Sequence, residues 1–407
     1  MRLLVIISEL INSNKLNKIP ILIFSLIPLF YVIGNAVLDI AVCILAIYSI
    51  SLFKLNVFKV SNGLNTIYLI LIISSLLTLN SKIIIDSILY FRFFSIIPLI
   101  IYFLRNDQSE NYFLISCLIM TIIVALTNLY QYNFEYLPII DSQINKSPNG
   151  EVVRVGGLFR DELISGAYLM AFSPLALIYM DKIKLKLLIR IIYILLIFTA
   201  IIYSGERISL LSFILVISIY FISNFKKGIL IFLSLSLVLL LIFGSNYYLF
   251  KRYTLDFYNS IFVSQNSHYW GMYTSSLLLS VRSLPSFLFG MGADSFEIIC
   301  SHFQSTIGTN RNYYCSTHPH NIYLETLFST CIFGLLTLVV FYIKITYSYI
   351  KNRSKLIFSS SLYLISAMVF FLPIKSSGSI FSQRFGFLII LFISLVFLVK
   401  ERLNSDQ

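Results

Sequence analysis

All four histidines of the chain, His268, His302, His318 and His320, fall within one 53-residue stretch. Imidazole is the side chain best suited to accept a proton near neutral pH, so this clustering marks a candidate place for proton transfer. The sharpest local feature is Ser316-Thr317-His318-Pro319-His320-Asn321, just ahead of a long apolar run. Pro319 suits the first turn of a helix, where its missing N–H costs nothing. That reading puts His320 and Asn321 in the same turn, beside backbone N–H groups without partners. Such a helix start attracts phosphate and favours neutral imidazole over imidazolium. His320, assisted by His318, is then a candidate base for a hydroxyl nucleophile beside a phosphate. Interfacial anchoring of both rings is the plainer alternative and stays open. Zinc is a weaker rival, because His-x-His has no third ligand at regular spacing and no His-Glu-x-x-His occurs. No metal or other cofactor is expected.

Arginines form the second constellation. Arg154 and Arg160 lie in Val153-Arg154-Val155-Gly156-Gly157-Leu158-Phe159-Arg160-Asp161-Glu162, and Arg207 follows Ser204-Gly205-Glu206. A guanidinium fork matches a diphosphate; pairing with Glu206 or Glu162 is the structural alternative. Arg282 and Arg311 can line the same site or stay solvated. Arg92 lies inside an apolar run with Asp86 as its expected partner, and Arg384 opens the last run. Asp161 and Glu162 adjoin, but no Asp-x-Asp stands in a candidate outer loop, which argues against a carboxylate-held cation. Gly290-Met291-Gly292 is read as a turn. Cys43, Cys117 and Cys331 fall in apolar runs as small buried hydrophobes. Cys300 and Cys315, with fourteen residues between them, are expected to form a disulfide in an oxidising compartment.

The elements that must position these groups are apolar helices. The apolar fraction is 58% and the charged fraction only 12%, with mean hydropathy +0.87. A soluble domain carries about twice that charge, so the bilayer must act as solvent. Twelve candidate spans follow: 19–34, 36–53, 64–79, 83–104, 112–130, 163–180, 187–203, 208–223, 229–244, 320–343, 357–373 and 385–399. Taking the N-terminus as cytoplasmic puts 18 of the 30 basic residues on the inner side, 11 on the outer side and Arg92 within a span. That bias supports cytoplasmic termini. The net charge of +12 is absorbed by the short loops, so no nucleic acid is expected as a partner. No small-residue cleavage site follows the apolar stretch Leu3–Ile11, and the first span is expected to act as an uncleaved signal. The expectation is one all-α polytopic membrane domain over residues 1–407, with two long outer loops at 131–162 and 245–319. Long loops in compact proteins usually carry function.

From Gly156 to about Leu336 the chain resembles the bacterial O-antigen ligase and O-antigen polymerase superfamily. The family hallmark is a histidine, then Asn, Ser or Gln, nine residues, glycine, two residues and a small residue or tyrosine. Here His320-Asn321 lead to Cys331 where glycine is expected, then Gly334. Gly157-Leu158-Phe159 with Gly166, Ser204-Gly205-Glu206-Arg207 and Pro285…Gly290-x-Gly292-x-x-x-Phe296 are further echoes. The resemblance implies a GT-C-like multi-span glycosyltransferase of the bacterial inner membrane with its site facing the periplasm. Its donor would be an undecaprenyl-diphosphate-linked oligosaccharide, and a chain-length regulator is a possible partner. The resemblance also implies that His320 activates the acceptor hydroxyl and that Arg207 binds diphosphate. Asn321, Arg154, Arg160 and Arg282 are candidate substrate contacts, and His268 stands where the family has a second arginine. The expected reaction is inverting and metal-independent, polymerase-like, with ligation to lipid A–core as the alternative. A flippase or other transporter is the rival of another class; it would line span interiors with charge, which is sparse there (Asp39, Asp86, Arg92).

Overall fold

The computed structural model describes residues 18–54, 57, 62–138, 142–143, 145–146, 152–160, 162–221, 225–258, 268–307, 314–353, 355–372 and 378–405. Each of the twelve apolar runs falls on helix. In chain order these are α1 Lys18–Ser25 with α2 Ile27–Ile33, α3 Asn35–Phe53, α4 Asn62–Thr78, α5 Ser81–Leu89 with α6 Phe91–Arg105, and α7 Asp107–Phe134. Then follow α8 Ser165–Lys182, α9 Leu187–Ser204, α10 Arg207–Phe221 and α11 Phe225–Ser245. Among the described residues, five segments are long and apolar enough to cross a membrane, α5–α6 counting as one. The number rises to six if α11 and the helix after it form one span. A polytopic helical membrane protein is thus supported, and a count of twelve crossings stays an expectation.

Among the described residues, both long loops carry secondary structure of their own. In the first, β1 Tyr136–Leu137 pairs antiparallel with β2 Ser142–Gln143, and β3 Asn145–Lys146 pairs with β4 Val152–Arg154. A 3-10 turn, Gly157–Phe159, follows. The second holds α12 Tyr247–Tyr253, α13 Leu255–Tyr258, α14 His268–Val281, α15 Leu284–Phe289 and α16 Phe296–Ile307. The chain ends with α17 Ile322–Asn352, α18 Phe358–Phe370 and α19 Gln383–Ser405.

Burial separates central from peripheral helices. Every residue from Phe93 to Leu104 of α6 is buried, as is most of α8, so both are surrounded by protein. In contrast α17 exposes Phe333, Leu336, Val340, Ile343, Tyr347 and Ile350. Their alternating spacing of three and four residues makes one outward stripe. Left in water, each would forgo about 1.5–3 kcal/mol of burial; hydrocarbon removes that cost.

Ion pairs and caps tie the helix termini into two ends. At the lower end, Glu110 of α7 accepts from Lys182 of α8, from Arg402 of α19 at 3.1 Å and from the Tyr363 hydroxyl of α18 at 2.8 Å. Arg105–Glu401 at 3.4 Å and Arg190–Asp181 at 2.6 Å lie at this end too. At the upper end, Arg384 of α19 pairs with Glu162 and donates to the Tyr31 carbonyl at 2.9 Å. Glu325 of α17 accepts from Ser379 Oγ at 2.7 Å and Ile380 N at 3.0 Å, just ahead of α19. Arg92 pairs with Asp39 at 2.8 Å, not with Asp86, and its remaining nitrogens reach Leu89 O and Gln383 Oε1. Asp86 lies on α5, six residues back on the same rod, whereas α3 packs directly against α6. Tertiary neighbours set this partner.

Gly290-Met291-Gly292 is more than the turn expected. Helix α17 breaks at Thr330 and Cys331, where Cys331 has φ 65° and ψ −174°. The break leaves carbonyls without their helical donors, and Met291 N and Gly292 N bond Phe328 O and Ser329 O at 2.9 and 3.0 Å. Irregular backbone at membrane depth is tolerated only when satisfied in this way. Gly290 has φ 76°, and a Cβ there would lie 2.6 Å from Ser329 O and 2.8 Å from Cys331 N. Both obstacles are backbone. Gly290→Ala should therefore lower stability by about 3 kcal/mol through combined strain and overpacking. A detergent-solubilised melting curve checks this; an unshifted midpoint would show that the docked backbone yields freely.

Candidate active site

The histidine segment is held from two sides. Cys300 of α16 and Cys315 form the expected disulfide, with Cα atoms 5.6 Å apart. Around it Leu279, Phe296, Phe303 and Phe328 make a small satellite core joining α14, α16 and α17. On the other side, Asn321 caps α17: its Oδ1 accepts from Tyr323 N at 2.9 Å and Leu324 N at 3.2 Å. The helix thus begins at Ile322 and not at Pro319. His320 precedes the cap, and Asn321 spends its carbonyl oxygen on two N–H groups that the sequence reading had left for an anion. Asparagine competes well for this position because its oxygen reaches N2 and N3.

His320 sits at φ 55°, a left-handed conformation that histidine tolerates better than most residues. Its ring lies 4.0 Å from that of His318, centroid to centroid, tilted by 48°. Thr317 Oγ1 is 2.9 Å from His318 Nδ1. Both rings are partly exposed, and Pro319 between them is buried. The two histidines singled out from sequence are therefore brought together. His302 is exposed on α16, His268 opens α14, and Arg311 and Asp161 lie outside the described residues.

The arginine group is built around the turn between α9 and α10. Glu206 accepts from Gly166 N at 2.8 Å, Ala167 N at 3.1 Å and Ser209 Oγ at 3.0 Å, so its carboxylate caps the start of α8. Burial pushes this carboxyl above the ordinary glutamate range, against the pull of Arg154. Arg154 donates Nε to Ser204 O at 3.4 Å and Nη2 to Leu163 O at 3.0 Å. Arg252 of α12 donates Nε to Gly205 O at 2.9 Å. Helix α12 is bent 119° from α11 and so carries its arginine back over the turn. Arg207 is the first residue of α10. Burial, then the charges of Arg154 and Arg207, bring the Arg252 guanidinium down to about 10. Arg154 and Arg207 thus both act on Arg252, the residue here that sequence reasoning missed. Its signal, a basic pair Lys251-Arg252 directly after an apolar run, is common at membrane borders.

Other candidates are placed elsewhere. Arg282 stacks over Phe303 at 5.4 Å, in the satellite core near the disulfide. Arg160 is exposed in a left-handed conformation beside the 3-10 turn. Arg384 also lies over the Tyr31 and Phe159 rings at 5.6 and 5.4 Å, consistent with a packing role. Among the described residues no group of three or more His, Cys, Asp or Glu is arranged to hold a metal ion. The histidine and arginine groups share the upper end, linked through Glu325 to the start of α19, Arg384 to Glu162, and Glu206 to the start of α8.

Residues 192–339 match the O-antigen ligase family model. Over those 148 of the 407 residues the chain is similar to the O-antigen ligase family. No curated protein and no solved structure matches the chain. The family segment contains Arg207, Arg252, the disulfide, both clustered histidines and the break at Cys331. Arg154 and Arg160 lie ahead of the matched residues.

Proposed function

We propose that the chain transfers a glycan from undecaprenyl diphosphate to an acceptor hydroxyl at the periplasmic face of the inner membrane. The observation that supports this reading best is the His318–His320 pair, its rings 4.0 Å apart, inside the segment that matches the O-antigen ligase family. His320 takes the acceptor proton as the new carbon–oxygen bond forms at the anomeric carbon. The bond from that carbon to the diphosphate oxygen breaks on the opposite face, which inverts the configuration. Arg207 and Arg154, with Arg160 at the edge, stabilise the departing diphosphate, an electrostatic role that needs no metal. His318 keeps the His320 ring in place and assists the proton transfer.

The acceptor we favour is a growing O-antigen repeat, which makes the reaction a polymerisation. Ligation to lipid A–core is the second reading, favoured by the description of the matching family. Lipopolysaccharide banding in a deletion strain separates them. Loss of every step above one repeat supports the polymerase; bare core with accumulated lipid-linked polymer supports the ligase. An unaltered ladder would sink both.

A further inference from the structure

Helix α14, in the second long loop, has the polarity of its faces reversed for an element in water. Its exposed residues, Trp270 (48%), Thr274, Leu277 (50%) and Val281 (49%), recur at four, three and four residues and so form one face. The opposite face, Gly271, Met272, Ser275, Ser276, Leu279 and Ser280, is buried. Ser276 Oγ there donates to Leu324 O at 3.4 Å, and Ser280 Oγ to Ser276 O at 2.7 Å. A helix over an aqueous compartment turns its serines outward and its leucines inward. Hydrocarbon favours the reverse, with polar groups turned toward protein. The apolar face continues through exposed Leu284 and Phe289 of α15. Gly290, next in the chain, lies against Ser329 and Cys331, two residues short of Phe333, where the outward stripe of α17 begins.

Depth follows from what this segment touches. Helices α14 and α15 lead to a tip at 289–293, and α16 leads back to the disulfide. At the tip, Ser74 Oγ of α4 donates to Phe289 O, and Ala293 N donates to Ser87 Oγ of α5 at 3.1 Å. Arg105 closes the lower end of the α5–α6 rod. A hydrocarbon core of about 30 Å spans about 20 helical residues. Counted up from Arg105, that reaches Ile85, beside Ser87, so the tip lies at the upper hydrocarbon boundary. Arg282, exposed and laid over Phe303 at 5.4 Å, is near enough to the tip to reach headgroup level. Tryptophan and arginine are both suited to that border.

We propose that α14 and α15 form a re-entrant hairpin arm seated in the upper leaflet, with Trp270, Leu277, Val281 and Leu284 against lipid acyl chains. The second long loop is then in part a membrane element. Because the disulfide and the satellite core tie this arm to the segment carrying His318 and His320, its seating also sets the height of both rings above the bilayer.

Trp270 is the single tryptophan of the chain, so its fluorescence reports on this face alone. The test places the full chain in liposomes of phosphatidylcholine and phosphatidylglycerol, plain or brominated at chosen acyl carbons. Wild-type emission should be blue-shifted from that of tryptophan in water. Lipids brominated near the headgroup should remove most of it, those brominated near the chain end less. Iodide on both sides of the membrane should remove little. Trp270→Phe combined with Leu284→Trp moves the reporter toward the tip and should shift the strongest quenching to deeper bromines. The wild-type measurement stands alone if that variant fails to fold. Quenching by iodide and not by brominated lipid overturns the proposal and returns the helix to the aqueous side. Shielding from both quenchers overturns it as well, because a second copy of the chain or another protein would then cover the face.

Discussion

Replacing His320 by Ala should reduce glycan transfer by about 100-fold or more while the protein still inserts and folds, the range expected for loss of a positioned general base. The reasoning starts from the backbone. His320 holds φ 55° between buried Pro319 and the capping Asn321, so its side chain leaves the chain in a direction that a helical residue would not give. Strained positions of this kind persist where the surroundings over-determine them, and functional sites are enriched in them. Alanine tolerates the left-handed region less well than histidine, so a loss in His320→Ala alone would mix chemistry with local strain. His320→Asn removes the base but keeps the conformational tolerance. Both variants should therefore lose transfer to a similar extent, with Asn melting closer to the wild type. His318→Ala, which removes the ring neighbour at 4.0 Å, should have a smaller effect of about tenfold. The measurement is transfer of a radiolabelled lipid-linked repeat in membranes with matched protein levels. Wild-type rates in His320→Asn would leave the histidine pair as an interfacial anchor.

The helices were legible because a continuous apolar run of span length has few other outcomes in a bilayer. The Cys300–Cys315 disulfide was legible from spacing and expected compartment. What escaped is what depends on contacts between distant segments. Asp39, not Asp86, meets Arg92 because α3 packs on α6, and sequence separation carries no trace of that packing. Gly290-Met291-Gly292 reads locally as a turn; its role shows only when the α17 carbonyls that it serves are seen to be released. Cys331 departs from the glycine of the family pattern, yet it takes φ 65° and ψ −174°, a region that glycine alone enters freely. This chain reaches that conformation with a buried cysteine. At the site, the two histidines were found by counting, since four in one segment stand out. Arg252 was not, because the pair Lys251-Arg252 after an apolar run looks like any membrane border until α12 folds back over Gly205.

Arg207→Ala should lower turnover by about 100- to 1,000-fold, the range for removing one preorganised donor from a developing oxyanion. The position favours a strong effect. Arg207 begins α10 directly after Glu206, whose carboxylate is fixed by Gly166 N, Ala167 N and Ser209 Oγ. The backbone that carries the guanidinium is thereby locked to the start of α8, so little reorganisation is needed as charge builds on the leaving diphosphate. Arg154 differs, because its Nε and Nη2 already serve Ser204 O and Leu163 O. Arg154→Ala should accordingly cost more in melting temperature and less in turnover than Arg207→Ala. Arg207→Lys discriminates charge from fork geometry: a point charge recovers attraction for the donor but not the paired contacts, so KM should improve over the alanine variant while kcat stays low. Turnover at saturating donor, measured beside the melting midpoint of each variant, separates these effects. If Arg207→Ala loses only its melting temperature and transfers at the wild-type rate when folded, the arginine turn is a structural clasp and the diphosphate must bind elsewhere on the bundle.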